Sequence, residues 1–255
     1  MKDAKRREAA ERIRALTEEL ARHARLYYHE DAPEVSDAEY DRRFQELQAL
    51  EASFPDLALP DSPTRRVGVP PAAGFRPVRH VVPMLSLDNA MDEAQMRAWL
   101  ERAERQLDRQ GPLALVAEPK LDGAAVELVY ENGAFVVGAT RGDGQIGEDV
   151  SANLRQVLAF PLALAGRPEG RVSVRGEVVL PLRAFRRLNA RRAERGLEPF
   201  ANPRNAAAGA LRMLHEVDRE RLRSLAFCAY GLGEGIPRPV RTQWGILVED
   251  RKSVV

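Results

Sequence analysis

The spacing of apolar and polar positions splits the chain into a front part of helical period and a back part where periods alternate. Between residues 2 and 28, apolar side chains recur every three or four positions: Ala10, Ile13, Leu16, Leu20, Ala24 and the pair Tyr27/Tyr28. That is the stripe of an amphipathic helix. Glu30-Asp31-Ala32-Pro33 ends it, because the residue before a proline is pushed out of helical backbone. Ser36, followed by Asp37 and Glu39, reads as a capped restart. A second helix then runs to about residue 52 with Tyr40, Phe44, Leu47 and Leu50 on one stripe. The short connection predicts an antiparallel helical pair. Residues 54–83 carry Pro55, Pro60, Pro63, Pro70, Pro71, Pro77 and Pro83 and read as an irregular linker or wrapping segment, with a domain boundary near 70. Residues 90–110 predict a third helix, with Met91, Met96, Trp99 and Leu100 as its apolar positions.

Past Gly111-Pro112 the period changes. Residues 113–118 predict a short buried strand. Residues 123–130 and 134–141 flank Asn132-Gly133, a strong hairpin signal. Helical period returns over 148–158, strand alternation over 171–180, helices over 182–195 and 205–214, and a strand over 224–231. Hairpins beside helices, without βαβ alternation, predict an α+β fold with an antiparallel sheet over 71–244. From Gly245 to Val255 no pattern continues, and this stretch reads as a non-native tail.

Composition narrows the function classes. The 255 residues are 44% hydrophobic and 30% charged, with 39 basic against 38 acidic residues and a net charge of +1. Neither a polybasic coat nor an acidic tail describes such a chain. The apolar runs at 113–117 and 178–180 are far short of a membrane span, and the charged first residues lack the apolar core of a signal peptide. Cys228 is the single cysteine, which excludes an internal disulfide and a Cys-x-x-Cys zinc site and favours a reducing cytoplasm. The lysines are Lys2, Lys5, Lys120 and Lys252, against 35 arginines. Arginine holds its proton and makes a poor nucleophile, so an isolated interior lysine is a candidate for amine chemistry.

Lys120 lies in Glu118-Pro119-Lys120-Leu121-Asp122-Gly123. On extended backbone, positions 118, 120 and 122 share a face, which places an amine between two carboxylates. The same spacing serves a surface Glu–Lys–Asp ladder. For nucleophilic work the amine must lose a proton, against the pull of flanking acids. Gly123 allows close approach of a ligand to the backbone.

Glu-x-Lys-x-Asp-Gly resembles the active-lysine motif of covalent nucleotidyltransferases, and it has company in order. Downstream are Thr140-Arg141-Gly142-Asp143-Gly144, Gly147-Glu148-Asp149-Val150, Arg175-Gly176-Glu177-Val178 and 200–209 around Asn202-Pro203-Arg204-Asn205. Upstream are Tyr27-Tyr28, Asp37-Ala38-Glu39-Tyr40-Asp41, Ser62-Pro63-Thr64 and the segment from His80 through Pro83-Met84-Leu85-Ser86-Leu87-Asp88-Asn89. Together, over about residues 8–244, these resemble the NAD-dependent bacterial DNA ligases.

The resemblance implies a helical NAD-capturing domain over 1–70, then an antiparallel-sheet, ATP-grasp-like ligase domain over 71–244, incomplete at its C-terminus. It implies that Lys120 attacks the α-phosphorus of NAD, releases nicotinamide mononucleotide and carries AMP. Asp122 is expected to assist proton removal or a magnesium site. Glu118 would read the adenine amino group, Arg141 and Glu177 would contact sugar and phosphates, and Ser86 and Leu87 would line the adenosine pocket. Tyr27, Tyr28, Asp37, Ala38, Glu39, Tyr40 and Asp41 would hold the nicotinamide half. Aromatic faces suit a cationic pyridinium, and 37, 40 and 41 share a helix face, although Tyr27/Tyr28 would equally serve packing between helices. Gly142-Asp143-Gly144 fits either a phosphate-approaching backbone or a plain turn. Implied cofactors are NAD and Mg²⁺, with Mn²⁺ as its substitute. The implied partner is nicked double-stranded DNA, touched by a monomer through Arg183, Arg186, Arg187, Arg191, Arg192, Arg204 and Arg212, unless the first five simply form a solvated helix face.

The family pattern continues beyond this sequence, with two phosphate-gripping lysines, an OB-fold, a four-cysteine zinc site, helix-hairpin-helix repeats and a BRCT domain. Zinc is therefore expected only in that further part. The expectation for this stretch alone is weak NAD binding, slow or absent self-adenylylation and no nick sealing. The competing functions are an ATP-dependent ligase or capping enzyme, which needs no nicotinamide pocket, and a catalytically silent NAD- or DNA-binding fragment.

Overall fold

The computed structural model describes residues 2–28, 34–59, 62–65, 74–108, 111, 113–235 and 242–246. The suspected tail falls almost wholly outside them.

Two antiparallel helices open the chain, α1 (Lys2–Tyr28) and α2 (Asp37–Ser53). They bury Ile13, Leu16, Leu20 and Leu47 completely, with Tyr40, Phe44 and Leu50 packed around them. The Ser36 hydroxyl accepts from the Glu39 amide and caps α2 as its sequence predicts. Part of the proline-rich segment is ordered into a strand, β1 (Pro77–Arg79), which pairs antiparallel with β4 (Ile146–Glu148). α3 (Glu93–Gln106) starts on an Asp92 cap, shorter than its apolar period suggests, and buries none of its residues.

The main sheet has four strands in the order β3-β2-β5-β6, all antiparallel. They are β2 (Ala124–Glu131), β3 (Ala134–Thr140), β5 (Arg171–Val179) and β6 (Ala226–Leu232). The β2–β3 turn is the Asn132-Gly133 hairpin, both residues at positive φ. Helices α5 (Leu182–Glu194), α6 (Pro203–Leu211) and the short α7 (Arg219–Arg223) follow β5. One core joins them: Val126, Leu128 and Tyr130 from β2 meet Ala206, Ala207, Ala210 and Leu211 from α6. The α+β, antiparallel reading of the sequence holds.

Two local expectations fail. The buried strand over 113–118 is neither strand nor buried; it is irregular and largely exposed. Its apolar residues attract a strand reading, but no described strand pairs with it. The helix over 148–158 shrinks to α4 (Ser151–Leu154), because Glu148 belongs to β4 and Asp149 turns back to accept from both the amide and the hydroxyl of Ser151.

Candidate active site

The candidate site lies where the 113–123 segment enters β2, beside the end of β3 and the middle of β5. Antiparallel pairing sets Ala125 opposite Glu177. The Arg141 amide donates to the Ala125 carbonyl at 3.0 Å, which brings the end of β3 to the same place. Glu177 is the hub. Burial pushes its carboxyl above the ordinary carboxylate value, against the opposing charges of Arg204, Lys120 and Arg141 and the Gly123 amide. Glu177 thus feels the charge of three cations that come from separate stretches of sequence.

The acids beside Lys120 do not hold it. Asp122 Oδ1 accepts from Arg204 at 3.1 Å, and Glu118 Oε2 accepts from Gln243 Nε2 at 2.9 Å. Among the described residues Lys120 makes no ion pair, and it is exposed. The amine–carboxylate ladder suggested by the i, i+2 spacing is therefore absent, because the backbone there is not a strand.

Gly142-Asp143-Gly144 is a built turn. Asp143 Oδ1 accepts from the amides of Gln145 and Ile146 at 2.9 and 2.7 Å. Gly142 sits at φ +57°, and a Cβ there would lie 1.9 Å from the Ile146 carbonyl oxygen, so the turn itself demands glycine. Ser86 and Leu87 are exposed and follow Met84, whose amide donates to the Gly144 carbonyl at 2.8 Å.

In the helical pair, Asp41 Oδ2 accepts from Asn89 Nδ2 at 2.9 Å, joining α2 to the segment after Leu87. Glu39 accepts from Arg43, which also meets Glu19. Tyr40 stacks on Phe44 with centroids 6.4 Å apart, so it contributes to packing as well. Tyr27 and Tyr28 end α1, and Asp37 and Ala38 open α2; their side chains lie outside the described set.

The arginines divide. On α5, Arg187 donates to Ser224, Arg191 pairs with Glu220, and Arg192 donates to the Glu198 carbonyl while its guanidinium covers Phe200 at 4.2 Å. Arg183 and Arg186 are exposed. Arg212 forks onto Glu148 at 2.8 and 3.0 Å.

Two features escape a reading of the sequence. Tyr230 on β6 is 38% exposed, and its phenol is pushed up to about 12 by burial and then by the negative charge of Glu177. A lone aromatic in a strand carries no signal, but the β5–β6 pairing brings it to the site. Glu127 is buried against His80 and Arg175. Burial works to raise its carboxyl, yet the hydrogen bond and charge of His80, the charge of Arg175 and the Ser173 hydroxyl outweigh it and hold the group below its ordinary value.

No cluster of three or more metal-binding side chains forms among the described residues. A magnesium ion here would rely on substrate phosphates and water, as that ion commonly does.

Lys120 thus stands exposed on the irregular segment just ahead of β2, and its charge, with those of two arginines, acts on the half-buried Glu177. Residues 72–252 match the NAD-dependent DNA ligase adenylation domain, and residues 6–68 match the N-terminal NAD⁺-binding domain of DNA ligase-like proteins. The chain is 54% identical over 229 residues to a DNA ligase of Geobacter sulfurreducens, and 52% identical over 229 residues to one of Citrifermentans bemidjiense; each match covers 89% of this chain and 34% of the relative. It is 50% identical over 252 residues to a DNA ligase of a Roseiflexus species, covering 92% and 35%. The chain belongs to the NAD-dependent DNA ligase family. It spans about a third of the length of the curated relatives it matches.

Proposed function

We infer that the chain carries the NAD-reading and self-adenylylating part of a DNA ligase. The observation that carries this is the convergence of Lys120, Arg141 and Arg204 on Glu177. The Lys120 amine attacks the α-phosphorus of NAD; a P–N bond forms, the P–O bond to the mononucleotide phosphate breaks, nicotinamide mononucleotide leaves with that electron pair, and the amine proton passes to water. Arg141 and Arg204 would neutralise the phosphate charge that this step must move. Glu177 would accept from ribose hydroxyls, Glu118 would read the adenine amino group, and Ser86 and Leu87 would flank the base. Asp122, tied to Arg204, would keep that arginine in place. Tyr230 offers a ring face for the base. Magnesium would supply further charge neutralisation on the phosphates.

The α1–α2 pair, with Tyr27, Tyr28, Asp37, Ala38, Glu39, Tyr40 and Asp41, would take the nicotinamide half, with the division between the two parts near residue 70. The DNA partner would be a nicked duplex in replication and repair in the cytoplasm, bound by a monomer. AMP would pass to its 5′-phosphate and leave when the 3′-hydroxyl attacks. Arg183 and Arg186 are the α5 side chains placed for phosphate contact. So few contacts hold DNA weakly at physiological salt, so this stretch alone would not complete sealing. Incubation with NAD or with ATP tests the reading: AMP on Lys120 from NAD only supports it, and AMP from ATP favours the ATP-dependent class.

A further inference from the structure

We propose that His80, Glu127 and Arg175 are positioning residues for the nucleotide site, a buried clamp that fixes the Ser86-Leu87 segment and the end of β3 against the sheet. The proposal rests on the nucleotide-site reading above and adds three residues that touch none of its substrate.

The three side chains come from β2, β5 and the end of β1, yet they form one bonded unit. His80 Nδ1 and Glu127 Oε2 are 2.7 Å apart, with side-chain exposures of 0% and 4%. His80 Nε2 lies 3.2 Å from both the Thr140 and the Arg141 carbonyl oxygens. Carbonyl oxygens only accept, so Nε2 is the edge that donates to them, while the Nδ1 edge faces the Glu127 carboxyl group. On the other side Arg175 donates to Glu127 Oε1 from Nε and Nη2, both at 3.3 Å. The rest of its fork reaches the Val82 carbonyl and, at 3.1 Å, the Pro83 carbonyl. Every charge in the unit has a hydrogen-bonded partner, which a buried ionic group requires.

The outputs of the clamp lie within four residues of the candidate nucleotide contacts. The Arg141 carbonyl is held by His80, and the charge of Arg141 acts on Glu177. The Val82 and Pro83 carbonyls are held by Arg175, and Ser86 and Leu87 follow. Glu177 is two residues from Arg175 on the same strand, hence on the same face. Backbone bonds reinforce the same joint: His80 N to Gln145 O at 2.9 Å and Met84 N to Gly144 O at 2.8 Å. The unit has no slack. A Cβ on Gly233 would lie 2.1 Å from Ser173 Oγ and 2.8 Å from Glu127 Oε1. An ionic clamp fixes direction better than apolar packing, because each bond has an angular preference.

The test uses the full 255-residue chain with two variants, Glu127→Gln and Arg175→Lys. The second keeps the charge and loses the fork, and it serves if the first fails to fold. NAD is titrated and followed by ligand-observed NMR, and amide hydrogen exchange is mapped with and without NAD. The expected result is NAD binding weakened about fivefold, the range that positional coupling carries. Exchange should quicken over 80–89 and 141–145 while β2 and β5 stay protected. Equal NAD affinity in wild type and both variants overturns the positioning role and leaves the site reading intact, as does loosening spread evenly over the sheet. If wild type shows no NAD contact at millimolar concentration, the site reading fails and the positioning role falls with it.

Discussion

At the scale of single residues, Lys120 and Glu177 make opposite demands on the fold. Lys120→Arg keeps charge and approximate size but removes an amine that can give up its proton. Covalent AMP should fall below detection with the melting temperature unchanged, measured by intact mass and thermal scans. Glu177 has its carboxyl raised by burial. The folded state therefore holds that proton more tightly than the unfolded one. The stability Glu177 contributes is full below the carboxylate range and is lost as pH rises through its folded value. At neutral pH the ionised group costs stability, so Glu177→Gln should melt higher than wild type, with the gap closing toward about pH 4. The same variant should lose adenylylation, and a lower melting temperature at neutral pH would contradict this account of its environment. Both residues are legible in the sequence, because each sits in a compact motif. Glu127 and Tyr230 are not, nor is the link of Glu127 to His80 and Arg175, although those two stand in motifs, because only strand pairing brings residues so far apart in the chain together.

At the scale of elements, the most exacting joint is β4 against the end of α6. Arg212 meets Glu148 through two bonds, with side-chain exposures of 18% and 5%. Arg212→Ala leaves a buried carboxylate with its main partner gone and should cost about 3 kcal/mol, read by denaturant unfolding. In the helical pair, Ser36→Ala removes the α2 cap and should cost about 1 kcal/mol. Helices α1, α2 and α5, the hairpin and the strand over 171–180 are open to pattern reading because their period is set by one buried face. The 113–118 run shows where that logic stops. An apolar run becomes a strand only when a neighbour accepts its backbone, and the run itself does not encode that neighbour. β1 and β4 fail in the reverse sense. Three residues each carry too little period to detect, and Pro77 disguises one of them, yet their pairing ties the proline-rich segment to the site.

At the scale of the molecule, the helical pair and the sheet have separate apolar cores, and the Asn89 to Asp41 bond ties the helical pair to the segment that carries Ser86 and Leu87. Asp41→Ala should therefore weaken use of NAD without lowering the melting of the sheet core. Its effect on adenylylation should appear chiefly as a higher NAD requirement. The account as a whole turns on one event, transfer of AMP from NAD to Lys120. The direct measurement is prolonged incubation of the chain with NAD and Mg²⁺, and separately with ATP, followed by intact mass and peptide mapping. The account predicts slow addition of one AMP from NAD alone, confined to the peptide that carries Lys120 and absent in Lys120→Arg. No adduct from NAD, an adduct from ATP, or one that survives Lys120→Arg would contradict it.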